Sequence, residues 1–347
     1  MKACVLVEPG KYSIEEIPMP EIKPDEVLVK VLTSGICVND VRDYKGSKWS
    51  YPRVGGHEYS AVVEKLGSDV DTSMVQVGDH VIPYIIDDCG MCYDCKHHHE
   101  NICANFTKGT SYFNPEGLSG FFGFSEYVAI PARHLYVYPK ETPDDEAAFT
   151  EPLACVINSI NRSNIKMGDD VVVIGGGVMG LLHVLCAKKQ GARVILSETD
   201  PDRREFGLKM GADVVIDPLE SDPVEQVKKL TGGRGANVVE NTTAIPAVAA
   251  QAIEMTAKSG VCNMFSSIHP NDPILVDAGR LHSQEIVVTG TQNGTIETFA
   301  QAIDCISKGI INVKPLIEAV YPYEEIKEAM ECACRPDTYK VMVQFSK

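Results

Sequence analysis

The chain has 347 residues, which at roughly 100–200 residues per domain makes two domains the first expectation. Hydrophobic residues make up 44% and charged residues 23%, the composition of an ordinary soluble globular chain. Asp and Glu outnumber Lys and Arg 48 to 32, and the resulting charge of −16 argues against a nucleic-acid or anionic-membrane binder, since either partner needs a basic face.

In chain order, Met1–Glu8 is too short for a signal-peptide core. A Pro-rich stretch from Pro18 to Pro24 precedes a strand expected at Val27–Leu32, followed by others at Ser60–Val63, His80–Pro83, Val128–Ile130 and Leu135–Val137. Short strands broken by Pro and Gly predict a β-rich, barrel-like body. Near Glu151 the texture changes. Val171–Ile174 is the continuous apolar run of a buried parallel strand, and a glycine cluster and an apolar helix to Gln190 follow it. Strands at Arg193–Leu196, Val214–Ile216 and Val238–Glu240 then alternate with helices at Asp202–Met210 and Pro223–Leu230, the pattern of a doubly wound α/β sheet. The tail from Gly294 carries two helical segments and a last strand at Lys340–Phe345. The segment nearest to a membrane span, Val171–Ala187, contains four glycines and His183, short of the ~18 apolar residues a span needs. The expected setting is the cytosol, where twelve cysteines point to metal rather than disulfides.

Cys89, Cys92, Cys95 and Cys103 form a C-x2-C-x2-C-x7-C array in a polar segment without core periodicity. Four thiolates in one short loop suit a closed, structural zinc site. An iron–sulfur run would have three residues before its last Cys and a Pro after it; here the gap is seven and Ala104 follows. His97, His98 and His99 read as solvated surface.

Gly175-Gly176-Gly177-Val178-Met179-Gly180 fits G-x-G-x-x-G in the required context, after a buried strand and at the start of a helix. Such glycines let the backbone approach a pyrophosphate seated on the helix N-terminus. Glu198, near the end of the next strand, is placed to bind the ribose diol and repel a 2′-phosphate, favouring NAD, although Arg203 nearby could accept that phosphate. A third set, Cys37, His57, Glu58 and Glu151, offers S, N and O donors suited to a catalytic zinc with one open position.

Taken together, these residues resemble the zinc-dependent medium-chain dehydrogenases, in the branch of the sorbitol (L-iditol) and threonine dehydrogenases. The zinc signature is present as Gly56-His57-Glu58-Tyr59-Ser60-Ala61, continuing to Gly67 and Gly78-Asp79-His80-Val81, with Ala61 where the family has Gly. Gly35-Ile36-Cys37 carries the first ligand, the Cys89–Cys103 lobe matches in all its spacings, and Glu151-Pro152-Leu153 matches the branch with Glu at that position. The resemblance implies a GroES-like catalytic domain over 1–150 with its zinc lobe at 86–104, a Rossmann domain over 151–293, and a return to the catalytic domain over 294–347. It also implies two zinc ions per chain, NAD, and a homodimer or homotetramer. Carried over by position, Gly175, Gly177, Val178, Met179, Gly180, Glu198 and Arg203 touch the cofactor, as do Met264, Phe265, Ser266, Thr291 and Gln292.

The implied reaction is reversible NAD-dependent oxidation of a secondary alcohol, with a polyol, sugar or sugar acid as substrate. Asn293-Gly294 stands where sorbitol dehydrogenases have an Arg-Tyr pair, and Trp49 lies in a region resembling threonine dehydrogenases, so threonine is the alternative. A non-enzymatic nucleotide-binding scaffold is the third reading; the complete Cys37, His57 and Glu151 set counts against it. Asn39 occupies the place of the usual Ser or Thr relay hydroxyl, and Arg42 that of a relay His. An amide cannot relay a proton as a hydroxyl does. Asn39 is therefore expected to hold substrate or cofactor, with Glu151 as general base and Glu58 second.

Overall fold

The computed structural model describes residues 1–46, 50–106, 117–268 and 271–345; Trp49 lies outside them. The chain divides into two compact units, Met1–Ala154 with Thr295–Lys347, and Cys155–Gly294. The boundary falls within the helix Thr150–Ser163.

The first unit is β-rich. A seven-stranded sheet is centred on the strand Glu26–Gly35. Val27, Val29 and Val31 alternate into its core and are fully buried, as period-two patterning requires. This strand pairs antiparallel with Glu58–Leu66 so that Gly35 lies opposite Glu58, and with Lys340–Gln344 so that Gly35 lies opposite Met342. Strands distant in sequence therefore meet around Gly35, with Cys37 just beyond it and His57 just before Glu58. A second sheet of four strands includes the N-terminal hairpin Lys2–Glu8 and Lys11–Glu16, which the sequence reading did not assign. The core joins Val5, Val54, Tyr59, Phe122 and Phe124 to Ile326, Met330 and Val343 from the tail.

The second unit holds one six-stranded parallel sheet. Taken in chain order, its strands Asp170–Ile174, Arg193–Ser197, Val214–Ile216, Ala236–Asn241, Thr256–Met264 and Val287–Gly290 lie side by side as 3-2-1-4-5-6. That is the doubly wound dinucleotide-binding order, in which ligands bind beyond the carboxyl ends of the strands where the order reverses. Val171–Ile174 within the first of these strands is buried at every position, which explains its unbroken apolar sequence. Asp200 caps the helix Pro201–Lys209 by accepting from the N–H groups of Asp202 and Arg203, with Pro201 at the first helical position.

Candidate metal centres and nucleotide site

The four cysteines of the polar lobe converge. Their Sγ atoms are separated by 3.4 Å (Cys92–Cys95), 3.7 Å (Cys89–Cys103), 3.9 Å (Cys92–Cys103) and 4.0 Å (Cys89–Cys95). A tetrahedron with Zn–S bonds of about 2.3 Å has edges of about 3.8 Å, so this donor set fits zinc. The N–H groups of Met91 and Cys92 and the Asn105 amide all donate to Cys89 Sγ. The Met91 N–H and the Asn105 amide are the main causes that bring the Cys89 thiol down to about 6, favouring the thiolate. His97, His98 and His99 are exposed, and His97 Nδ1 donates to the Tyr93 carbonyl at 2.7 Å.

Cys37, His57 and Glu58 bring their donor atoms within 4.8 Å of one another. Three devices hold them. Asp40, buried and unforeseen from the sequence, accepts from Cys37 N–H at 3.0 Å and from Gly56 N–H at 3.1 Å, tying the two ligand-bearing segments together. Its carboxylate also lies 3.9 Å from His57 Nδ1. Gly56 has φ +79°, and a Cβ there would lie 2.7 Å from the backbone of Gly123 and Phe124, so only glycine makes this turn. Lys340, also unforeseen, completes the site: its Nζ is 2.5 Å from Glu58 Oε2 and 3.3 Å from the Ile36 carbonyl. Glu151 is half-buried, and its charge raises the proton affinity of both His57 and Lys340. Asn39 is exposed and accepts from Arg42 Nη1 at 3.3 Å. A donor set of thiolate, imidazole and carboxylate, with a cation holding the carboxylate, fits zinc with a position left for substrate.

In the second unit, Gly175 has φ +102° and leads from the first strand towards the helix Val178–Lys189. A Cβ on Gly180 would lie 1.8 Å from the Gly175 carbonyl, so helix and strand pack too closely for any side chain. Glu198 Oε2 accepts from Gly176 N–H at 2.5 Å, while Oε1 accepts from Thr199 Oγ1 and Asp200 N–H. Arg203 runs beside the loop, with Nη1 at 3.6 Å from where a Gly177 Cβ would stand. Met264 ends the fifth strand, and the turn that follows is held by N–H donation from Phe265 and Ser266 to the Asn241 carbonyl. Thr291 and Gln292 follow the sixth strand, and Thr291 N–H donates to the Met264 carbonyl.

Two family models match the chain, the alcohol dehydrogenase GroES-like domain over residues 23–140 and the zinc-binding dehydrogenase over residues 178–308. L-threonine 3-dehydrogenase of Thermococcus kodakarensis is 31% identical over 99% of this chain and 97% of its own. Sorbitol dehydrogenase of Bacillus subtilis is 30% identical over 99% and 97%. Among solved structures, an alcohol dehydrogenase of Escherichia coli CFT073 complexed with NADH superposes with a TM-score of 0.90, at 26% identity over 99% of each chain. A Sinorhizobium meliloti protein described as a zinc-binding dehydrogenase and bound to NADP does so with the same TM-score, at 27% identity over 99% of each chain. The chain belongs to the zinc-binding medium-chain dehydrogenase family, in the branch of the sorbitol and threonine dehydrogenases. It is a zinc-dependent, NAD(H)-linked oxidoreductase acting on a small molecule. No described helix is long and apolar enough to cross a membrane.

Proposed function

We propose that the chain oxidises the C3 hydroxyl of L-threonine to a ketone with NAD. The observation that carries this reading is the match to threonine 3-dehydrogenases along 99% of the chain, by a sequence whose Cys37, His57 and Glu58 donors converge. Such relatives predominate over sorbitol dehydrogenase, so the comparisons favour threonine over the polyol, sugar or sugar acid expected first. A polyol is the second reading, favoured by the 30% identity to the sorbitol enzyme.

In this reading Cys37 and His57 hold the catalytic zinc, and Glu58 or Glu151 completes the shell. Zinc supplies a Lewis acid that lowers the pKa of the substrate hydroxyl, and the nicotinamide supplies the hydride acceptor. Glu151, half-buried and near enough to act electrically on His57 and Lys340, takes the hydroxyl proton. Asn39 orients substrate or cofactor by its amide. The glycines at 175, 177 and 180 with Val178 and Met179 seat the pyrophosphate, Glu198 binds the ribose diol, and Arg203 lies against the adenine. Residues 264–266, 291 and 292 border the nicotinamide. The first unit is the catalytic domain and the second the Rossmann domain, within a few residues of the bounds 1–150, 151–293 and 294–347 expected from the sequence, and the enzyme works as a cytosolic homodimer or homotetramer.

The test is NADH formation from NAD with L-threonine and with a panel of polyols and sugar acids. Threonine should have the highest kcat/KM. A higher value for any polyol would transfer the assignment to the second reading.

A further inference from the structure

Beneath the carboxyl ends of the parallel strands lies a polar cluster that the mechanism does not use. Glu240, fully buried on the strand Ala236–Asn241, accepts from Ser159 Oγ at 2.8 Å through Oε2 and from Ser163 Oγ at 2.5 Å through Oε1. Both serines belong to the helix Thr150–Ser163. Asn263, also fully buried, donates through Nδ2 to Ser159 Oγ at 2.8 Å and to Thr291 Oγ1 at 3.0 Å. Thr291 Oγ1 lies 3.2 Å from Asn263 Oδ1 as well. Fully buried His183 spends its Nδ1–H on the Met179 carbonyl at 2.7 Å, faces Glu240 Oε2 across 3.7 Å, and meets the Phe265 ring edge-on with centroids 4.6 Å apart.

A buried polar network is a costly way to fill a core, because each member needs its partners and an apolar residue of equal volume needs none. What this one adds over apolar packing is direction. Its outer members are Thr291, just past the sixth strand, and Phe265, just past the fifth. Those two turns border the nicotinamide in the function proposed above, and this inference rests on that reading. We propose that Glu240, Ser159 and Asn263 are positioning residues that fix the Thr291 and Phe265 turns against the nicotinamide half of the bound dinucleotide. The glycine loop and Glu198, which serve the other half, hold their geometry through contacts of their own.

The two halves can be read separately, because ADP-ribose carries the adenosine and pyrophosphate of NADH without the nicotinamide. Titrations of zinc-loaded protein with each ligand, followed by fluorescence for NADH and by calorimetry for ADP-ribose, compare wild type with Ser159→Ala. The variant should raise the NADH Kd about tenfold, the equivalent of one well-placed hydrogen bond, and move the ADP-ribose Kd by less than about twofold. Ser159→Thr keeps the hydroxyl and should restore NADH binding. Should Ser159→Ala fold poorly, Thr291→Val breaks the same chain at its outer end, and Thr291→Ser is its rescue. Equal weakening of both ligands, or no change in either, overturns the proposal. A wild-type protein that binds neither ligand overturns the nucleotide reading itself, and this inference with it.

Discussion

Lys340 Nζ lies 2.5 Å from Glu58 Oε2, with both side chains almost wholly buried. The pair crosses over Gly35, where a Cβ would stand 2.7 Å from the Glu58 carboxylate and 3.4 Å from Lys340 Cδ. The pairing strands, the missing side chain and the ion pair are therefore one arrangement. Burial lowers the proton affinity of Lys340, and the charges of Glu58 and Cys37 outweigh it, so the ammonium persists. Removing one partner of a buried pair leaves an uncompensated charge and costs about 3–5 kcal/mol. Lys340→Met should lose about that much in urea unfolding, and adding Glu58→Gln should recover most of it, because no orphaned charge remains. A double variant no more stable than Lys340→Met would show that the lysine acts by packing alone.

The zinc lobe should be separable from the catalytic centre. Cys95→Ser replaces one of four converging sulfurs by a weaker oxygen donor. Elemental analysis should show a fall from about two zinc ions per chain to about one, with Cys37 and His57 still loaded. Iron in place of zinc, or a single zinc in the wild type, would contradict this assignment.

Much of this was legible in the sequence, for physical reasons. Cysteine spacing is local, so Cys89 to Cys103 identify their own geometry. Val171–Ile174 has to be apolar throughout because helices cover both faces of a parallel sheet, and the glycine cluster follows where the chain turns into its helix. Asp40 and Lys340 were not legible. Asp40 reads as a first-turn acidic residue on a short helix, and only folding aims it at the Gly56 N–H. Lys340 opens an ordinary strand, and its partner is 282 positions away. The hairpin Lys2–Glu8 and Lys11–Glu16 escaped because its second strand is largely polar and none of its residues is fully buried, so no apolar alternation marks it.

Glu198 should set cofactor choice. Its carboxylate is buried at the glycine loop, accepting from Gly176 N–H, so a 2′-phosphate at that place would meet a negative charge. The wild type should have a higher kcat/KM with NAD than with NADP. Glu198→Ala should narrow that ratio, chiefly by raising KM for NAD. A wild-type preference for NADP would reassign the site to Arg203.

His183 should leave a mark on acid stability. Burial pushes its ring below the ordinary 6.5, and the opposing pull of Glu240 and the Met179 carbonyl does not overcome this. With the folded pKa depressed, the unfolded chain takes up the proton first as pH falls. Stability from this group is therefore whole above about pH 6.5 and is lost progressively below it, by at most about 1.4 kcal/mol per pH unit. His183→Asn, which can still donate to the Met179 carbonyl, should show a shallower loss of Tm between pH 7 and pH 5 than the wild type. Parallel curves would mean that His183 is protonated in both states.

The proton route gives the sharpest test. Asn39 cannot relay a proton, and its oxygen accepts from Arg42. Glu58 is held by Lys340. Glu151 stands at the start of a helix, close enough to act electrically on His57 and Lys340. Glu151→Gln preserves shape and removes the basic oxygen, so kcat should fall by about 10²–10⁴-fold, the usual size of a lost general base. Zinc content should stay near the wild-type value, because Cys37, His57 and Glu58 are untouched. The acid limb of the kcat profile, which reports the base, should vanish in the variant. Two controls separate this from damage to the metal centre. Asn39→Ser, which restores the hydroxyl of the common relay, should retain activity in the wild-type background and recover part of it beside Glu151→Gln. Near-native kcat for Glu151→Gln across the pH range, with zinc bound, would remove Glu151 as the base. Loss of zinc along with activity would make it a metal ligand instead, and Glu58 would then be the carboxylate left to take the proton.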